Sequence, residues 1–386
     1  KGSTSVVGNV GGGVGGGGDG DGGGGGDECI GLVSGTSVST YPEACGGAPA
    51  VEPKPDSYVN INEGYPNPSR PKSGDPDIAF DSKGKVHISY HAISTTSKYE
   101  LRYVTDRSGA LVHEVISGPF DSTMLMNTAI AVDSTDNVHI SWIAKDVHTR
   151  QPSVRYATDK SGSWVVETLE ESTKEFKNGE PSNDLAVDSQ DKVHVVYYMD
   201  HTNNGFRHVT DASGAWVTTV VDDSPNTGEH VTIRIDSADK IRVAFYNMQN
   251  RGLRFATYEG ADDGGWIVTV VDPEGSDQNA LGLDSAGRVH IFYDADTSDG
   301  TPTYLRYSKE DGAGGPWERS ASLDTLHIDS RWDLSVVLDA NDVPHLSYCR
   351  YSPSLGHENE LWYLTTDATG AWATRAIDAA SSVKTI

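Results

Sequence analysis

The amino-acid sequence predicts an all-β protein: a six-bladed β-propeller of four-stranded blades, preceded by an extended glycine-rich N-terminal arm. Three observations predict this fold class. A short strand pattern ending in aspartate recurs six times, each copy holds four strand patterns separated by turn sequences, and neither terminal copy has the polar character of a solenoid cap. We therefore expect the repeats to close into a ring.

The first strand of each repeat is its clearest element. It reads Ile78-Ala79-Phe80-Asp81 in the first copy and Ile130-Ala131-Val132-Asp133 in the second. The terminal aspartates, spaced by 52, 55, 48, 48 and 55 residues, are Asp81, Asp133, Asp188, Asp236, Asp284 and Asp339. A turn sequence such as Ser82-Lys83-Gly84-Lys85 follows each one and suits a tight hairpin. A period of about 50 residues is typical of one propeller blade.

The other three strands of each repeat carry recurring polar and aromatic residues. The second strand, Val86-His87-Ile88-Ser89-Tyr90 in the first copy, places histidine at His87, His139, His194, His290 and His345, with Arg242 in the fourth copy. The third strand carries Arg102, Arg155, Arg207, Arg254 and Arg306. The fourth strand opens with Leu111 in the first copy and then with Trp164, Trp216, Trp266, Trp317 and Trp372.

Composition divides the chain into three regions. Residues 1–28 form a Gly/Asp-rich low-complexity arm that cannot bury apolar surface and is expected to act as a tether. Residues 29–75 form a Ser-, Pro- and Gly-rich segment, and residues 76–386 form the propeller. The strand pattern at residues 58–62 lies outside the four strands of any blade. We expect it to pair either with the last blade, closing the ring, or with a neighbouring molecule.

Charge and cysteine usage indicate the compartment and the partners. A net charge of −26 excludes nucleic acid as a partner, because phosphate neutralisation requires clustered basic residues. No apolar run approaches the roughly 20 residues of a membrane helix. We expect Cys29 and Cys45 to form a disulfide and Cys349 to be a buried, reduced thiol. Together these features predict a secreted or cell-surface protein.

The turn before the fourth strand carries a family resemblance. It reads Thr158-Asp159-Lys160-Ser161-Gly162-Ser163-Trp164 in one copy, and residues 210–216 and 366–372 repeat the pattern. It resembles the Asp-box turn of the sialidase-like (BNR-repeat) propellers, and the resemblance extends over residues 77–378. It implies the fold alone. Sialidases also carry an arginine triad and an Arg-Ile-Pro segment, whereas here the arginines lie one per blade and no such segment occurs.

Each group of recurring residues has a structural and a functional interpretation. We expect the histidines to bond neighbouring carboxylates or hydroxyls, because six positions around a ring are too far apart to share one metal ion. The arginines and tryptophans are expected to clamp carboxylates and pack between blades. The alternative is a glycan pocket in each blade, formed by Arg102, Arg155, Arg207, Arg254, Arg306, Trp164, Trp216 and Trp266.

One loop offers oxygen ligands. Residues 294–300 include Asp294, Asp296 and Asp299, and they resemble a calcium loop, although the glycine falls one place late and Leu305 replaces the distal glutamate. The alternative is a solvated acidic loop, so Ca²⁺ is the one candidate cofactor.

The uniformity of the copies favours a non-catalytic protein. No copy carries a specialised catalytic cluster and no catalytic motif is present, so we assign no catalytic residue. The favoured function is an extracellular or cell-surface structural or adhesive module that self-associates through its N-terminal arm or binds a surface partner. The alternatives are a carbohydrate-binding lectin and, second, a polysaccharide lyase or glycosidase.

Overall fold

The computed structural model of the chain describes residues 74–93, 98–120, 123–146, 148–173, 175, 181–199, 205–249, 251–258, 265–295, 304–310, 316–320, 323, 334–352 and 358–378. Every regular element in these ranges is a β-strand, and the strands form six antiparallel sheets of four strands each. The predicted all-β, six-bladed architecture is confirmed. The described residues contain no helix that is long and apolar enough to cross a membrane.

The blades follow one another in chain order. Blade 1 contains β1 (Gly74–Phe80), β2 (Val86–Ile93), β3 (Tyr99–Thr105) and β4 (Val112–Phe120). Blade 2 contains β5 (Thr123–Val132), β6 (Val138–Asp146), β7 (Pro152–Thr158) and β8 (Val165–Glu171). Blade 3 contains β9 (Ser182–Val187), β10 (Val193–Tyr198), β11 (Phe206–Thr210) and β12 (Val217–Asp222).

The second half of the molecule repeats this arrangement. Blade 4 contains β13 (Thr227–Ile235), β14 (Ile241–Asn247), β15 (Leu253–Tyr258) and β16 (Trp266–Asp272). Blade 5 contains β17 (Gly275–Leu283), β18 (Val289–Ala295), β19 (Tyr304–Glu310) and β20 (Trp317–Arg319). Blade 6 contains β21 (Ser335–Leu338), β22 (Pro344–Ser352), β23 (Glu358–Thr366) and β24 (Trp372–Asp378). The first strands of consecutive blades contact one another around the axis.

Burial explains why the second strands are so apolar. Every residue of β10 and β14 is buried, because both faces of these strands pack against neighbouring blades. The outer strands β4 and β8 are mostly exposed instead. Between consecutive blades from 1 to 6, five hydrophobic clusters combine residues of both partners. The core is therefore a series of inter-blade layers.

The tryptophans at the start of the fourth strands pack between adjacent blades, as expected. Trp164 of blade 2 packs edge-on against Tyr103 of blade 1, with ring centroids 5.0 Å apart. Trp216 of blade 3 repeats this contact with Tyr156 of blade 2 at 5.0 Å. Edge-to-face pairs of this kind add to the energy of area burial.

The repeat aspartates organise the turn at the end of each first strand. Asp133 accepts hydrogen bonds from the backbone N–H groups of Thr135 and Asn137, both 2.9 Å away. Although burial opposes the shift, hydrogen bonds from Asn137 and Thr135 lower the pKa of Asp133 to about 2. Its other oxygen lies 3.3 Å from Nε2 of His139, and burial lowers the pKa of that histidine. The predicted role of the histidines as partners of the repeat carboxylates is confirmed here.

The state of Cys349 corrects one expectation. Cys349 is buried on β22 but is disulfide-bonded, so the prediction of a reduced thiol is wrong. Its partner lies outside the described residues, as do Cys29 and Cys45. The chain has only three cysteines, so a bridge from Cys349 within one chain would replace the predicted Cys29–Cys45 pair, which stays a prediction.

Candidate functional site

The first strands converge on a cavity at the axis, at the ends where they begin. Its volume is about 160 Å³, and all six blades contribute to its wall. The polar side chains along it are Asp77, Asn127, Thr128, Ser182, Asn183, Asp184, His230, Thr232, Arg234, Gln278, Asn279 and Ser335. A concave site with convergent polar groups at the centre of a fold is a candidate ligand site.

Two irregular backbone positions help to form the cavity wall. Asn127 has a φ of +41° and His230 a φ of +47°, and the ladder register shifts next to both residues. A bulge bends the strand and re-aims side chains near it. Left-handed backbone at a residue other than glycine is costly, and such positions concentrate at functional sites.

An ion pair links blades 3 and 4 inside the cavity. Nη1 of Arg234 lies 3.2 Å from Oδ2 of Asp184, and both side chains are largely buried. The same carboxylate accepts a hydrogen bond of 2.8 Å from the backbone N–H of Ile233. The corresponding position of the other blades holds a small or aliphatic residue, such as Ala186 or Gly282. The pair is thus a local specialisation of blade 4.

A second carboxyl group lies nearby without an ion-pair partner among the described side chains. Asp77 accepts hydrogen bonds from the backbone N–H groups of Ile78, at 2.8 Å, and Ile130, at 2.7 Å. Burial, and then the negative charge of Asp184, raise the pKa of Asp77 to about 8. Burial also raises the pKa of Asp184, although Arg234 opposes that shift. Asp77 is therefore mostly protonated at neutral pH, and Arg234 favours the anionic form of Asp184.

Two buried amides line the cavity with unsatisfied oxygens. Asn183 and Asn279 are each only 7% exposed. Their Nδ2 groups donate to Oγ of Ser141 at 2.7 Å and to the carbonyl oxygen of His230 at 2.5 Å. No described residue donates a hydrogen bond to Oδ1 of either side chain. A buried acceptor of this kind costs about 1–3 kcal/mol when unpaired, so both oxygens suit a hydrogen-bond donor in the cavity.

The predicted arginines do not line the cavity, and two of them join adjacent blades. Arg207 pairs with Glu170 of the preceding blade at 2.7 Å. Arg306 does the same with Asp272 and Glu274, at 3.1 and 2.8 Å. These guanidinium groups act as clamps between blades.

The remaining arginines differ in their surroundings. Arg102 is buried and pairs with Glu100 of its own strand at 2.5 Å. Arg155 lies over the ring of Phe120 at 5.6 Å. Arg254 is half-buried, and no described residue accepts a hydrogen bond from its Nε.

The tryptophans predicted to bind sugar use their polar edges within the fold. The indole nitrogens of Trp164 and Trp216 donate to Glu114 and Glu167 of the preceding blades, each at 2.8 Å. Trp266 donates to Thr219 at 3.3 Å. The structure gives these side chains an inter-blade role, and sugar binding at the arginines and tryptophans stays a prediction.

The predicted calcium loop is only partly described. Asp294 lies within β18, is fully buried, and accepts a hydrogen bond of 2.8 Å from the backbone N–H of Gln278. Its position in a strand corrects the expectation of a loop residue. Asp296 and Asp299 lie outside the described residues. Within the described part of the chain, no group of three acidic, histidine or cysteine side chains forms a metal site.

The sequence holds a signal for this cavity in residues that depart from the repeated motifs. Arg234 interrupts a position that is otherwise alanine, glycine or valine, as at Ala79 and Val337. Asp77 and Asp184 occur four residues before the repeat aspartates of blades 1 and 3, where Ala129 and Ala280 stand in blades 2 and 5. Departures from the repeat, rather than the repeated residues, indicate the site.

Known proteins with a similar structure share little sequence with this chain. No protein-family model and no curated protein sequence matches the chain. Among solved structures, AofleA from Arthrobotrys oligospora is 12% identical, with 80% of this chain and 87% of that chain covered and a TM-score of 0.49. The fucose-specific lectin from Aleuria aurantia is 12% identical, with 79% of this chain and 95% of that chain covered and a TM-score of 0.46. A Hadza microbial sialidase is 12% identical, with 78% of this chain and 66% of that chain covered and a TM-score of 0.49.

Proposed function

We propose that this chain is a carbohydrate-binding propeller whose axial cavity holds one neutral sugar residue. The observation that carries the proposal is the pair of buried amides Asn183 and Asn279, which line the cavity and whose Oδ1 atoms lack a described donor. Hydroxyl groups are donors that such oxygens accept readily, and a sugar presents several of them on one small ring.

The charge of the cavity favours a neutral ligand. Arg234 is already paired with Asp184, and Asp77 is neutral below a pKa of about 8. No unpaired cation among the described cavity side chains would neutralise a uronate or a sulfate. An anionic sugar would therefore lose hydration without gaining an ion pair, and that loss is costly in a buried site.

The size of the cavity favours a single residue rather than an extended chain. A volume of about 160 Å³ is smaller than the roughly 300–1,000 Å³ typical of sites for drug-sized ligands. The end of a glycan fits this description, with the rest of the glycan outside. An exported protein with one such site would attach to glycans on a surface, which agrees with the predicted adhesive role and extracellular location.

The test is calorimetric titration of the full chain with a panel of neutral and anionic monosaccharides. We expect one site per chain for a neutral sugar and none for uronates. Asn183→Ala and Asn279→Ala should each weaken binding about fivefold, since a hydrogen bond is worth roughly 1 kcal/mol. The matched control, Asn341→Ala, alters an exposed turn amide and should leave binding unchanged.

Two results would overturn the proposal. One is unaltered affinity in both cavity variants. The other is a stoichiometry of several sites per chain, lost on Arg207→Gln, which would place sugar binding at the inter-blade arginines instead.

Glycoside hydrolysis is a second candidate, favoured by the protonated state of Asp77. A carboxylic acid with a pKa of about 8, next to a second carboxylate, has the protonation state of a general acid. Incubation with aryl glycosides tests it: Asp77→Asn should abolish turnover while leaving sugar binding measurable. The absence of turnover in the unmodified chain would exclude this candidate for those substrates and would leave the binding proposal unaffected.

A further inference from the structure

The junction between blade 6 and blade 1, here called the seam, differs from the other five junctions. Each of the others has a hydrophobic cluster shared by both blades. The sixth cluster contains blade 1 residues alone, among them Ile88, Tyr90 and Val104. These residues lie on the face of blade 1 that corresponds to the face of blade 2 packed against blade 1. Within the described ranges, no apolar residue of blade 6 joins them.

Among the described residues, a serine–aspartate clamp that joins the blades at four of the other five junctions is absent from the seam, and the sequence shows why. At the junction of blades 1 and 2, Ser82 donates its N–H and its Oγ–H to the carboxylate of Asp136, at 2.9 and 3.0 Å. The same clamp joins Ser134 to Asp191 at 2.8 and 2.9 Å. At the seam, the equivalent positions hold Ala340 and Gly84, which have no hydroxyl and no carboxylate.

The tryptophan that packs between the other blades also has no counterpart in blade 1. Tryptophan opens the fourth strand of blades 2 to 6 and packs on the preceding blade, whereas blade 1 has Leu111 at this position. On the blade 6 side of the seam, Arg375 lies over the ring of Tyr363 of its own blade, at 5.7 Å.

The blade 6 side of the seam is unusually open. Val337 is 46% exposed, while its counterpart in blade 1, Ala79, is 2% exposed. The side chain of His345 is 33% exposed, whereas that of His139 is 1% exposed. Blade 6 therefore presents a face to the seam that blade 1 does not cover in the described residues.

The face of blade 6 at the seam also carries a disulfide-bonded cysteine, Cys349. Cys349 occupies the β22 position that corresponds to Ile143 of blade 2, and Ile143 packs toward the next blade. Cys349 therefore points into the seam. It is disulfide-bonded, and the other cysteines of the chain, Cys29 and Cys45, both precede β1.

We propose that residues 29–73 of the same chain occupy the seam and that a disulfide from Cys349 to this segment closes the ring. The segment leads directly into β1, the innermost strand of blade 1, so it starts next to the surface that it would cover. Its Tyr58-Val59-Asn60-Ile61 stretch supplies apolar side chains for the face of Ile88, Tyr90 and Val104. The bridge thus replaces the serine–aspartate clamp and the tryptophan packing that the seam lacks.

Formation of this disulfide requires an external oxidant. Two thiols lose two electrons and two protons as the sulfur–sulfur bond forms, and a small-molecule disulfide of an oxidising compartment accepts them and leaves as two thiols. Closing a long loop of chain in this way restricts the unfolded state and stabilises the ring.

The first experiment maps the disulfide in the full-length protein by mass spectrometry of unreduced peptides. We expect Cys349 linked to Cys29 or Cys45 within one chain. A Cys29–Cys45 link with Cys349 as a thiol would overturn the proposal. A Cys349 link between two chains, seen as a dimer on a non-reducing gel, would also overturn it, because the occupant would then be a second copy.

The second experiment measures hydrogen exchange with the bridge removed. In Cys349→Ser, and in the double variant Cys29→Ser with Cys45→Ser, amides of β2 and β22 should exchange about tenfold faster, because the seam opens locally. Amides of β10 and β14, remote from the seam, are the internal control and should be unchanged. The double variant leaves β22 unaltered, which separates loss of the bridge from local damage. Unchanged exchange at the seam, or equal acceleration in all blades, would contradict the proposal.

Discussion

The two ends of the innermost strands differ in how faithfully they repeat. At the end where each strand stops, the same aspartate organises the turn in every blade, and Asp133 and Asp188 each bind the histidine of the next strand at 3.3 Å. At the end where each strand begins, the side chains differ from blade to blade. Blade 1 presents Asp77, blade 3 Asn183 with Asp184, and blade 5 Asn279.

This contrast separates fold from function. A side chain that every blade needs for its own turn is repeated, because each blade solves the same folding problem. A ligand at the axis would meet all six blades at once and would not itself be six-fold symmetric, so its site would require a different residue from each blade. The residues at the constant end therefore maintain the propeller fold, and the variable end is where we propose that the ligand binds.

The largest effect on stability is expected when one of the repeat aspartates is removed. Asp133→Ala deprives the N–H groups of Thr135 and Asn137 and the ring of His139 of their acceptor. We expect the free energy of unfolding to fall by about 3 kcal/mol, because hydrogen bonds to a charged group are lost and buried donors stay unpaired. Urea denaturation measures it, and sugar affinity of the folded protein should be unchanged.

A control for this variant is Val217→Ala, which shortens an exposed side chain of β12 and should have little effect. A loss in Asp133→Ala no larger than that of the control would show that the constant end does not hold the fold.

The variable end should instead control how stability depends on pH. The folded-state pKa of Asp77 is about 8 and its usual value is 3.8, so the folded protein binds a proton that the unfolded chain releases. Its contribution to stability is complete below pH ~4 and falls as pH rises to about 8, by at most ~1.4 kcal/mol per pH unit. Asp77→Asn should flatten the decline between pH 5 and pH 8 in urea denaturation.

The matched control for the pH series is Asp367→Asn in an exposed turn. Hydrogen bonds from Thr369 and Ala371 lower the pKa of Asp367, so its contribution is lost only as pH falls below its usual pKa. This variant should retain the slope of the unmodified protein between pH 5 and pH 8. If Asp77→Asn also retains that slope, the raised pKa of Asp77 is disproved.

The smallest effect on stability is expected for the serine–aspartate hydrogen bonds that join the first-strand turns of neighbouring blades. Ser134→Ala removes the bond of 2.9 Å from its Oγ to Asp191 and should lower the free energy of unfolding by about 0.5–1 kcal/mol. The chain offers a matched control, since Ser237 occupies the same turn position but faces Gly287 in place of an aspartate. Ser237→Ala should therefore change stability less, and equal losses in the two variants would show that the carboxylate is not what the serine contributes.

The repeat was predictable from the sequence because its physical causes are local. Alternating apolar residues specify the strands, and the turn after Asp81 or Asp133 specifies the hairpin, so six copies of the pattern give six blades. The tryptophan and histidine roles followed as well, because residues that recur once per blade are used by every blade. That Cys349 is disulfide-bonded was not predictable, because its partner depends on which residues the folded chain brings close to it rather than on spacing along the sequence.

By itself, the sequence determined the fold class, the number of blades and the residues that hold each turn, since these depend on contacts within one repeat or between adjacent repeats. Only the tertiary structure decided that Asp77, Asn183, Arg234 and Asn279 share one cavity. These residues lie on four different blades, and they meet because the first strand of every blade points toward the same axis. It also decided their electrostatics, because the pKa of Asp77 rises only when burial and the charge of Asp184 act on it together.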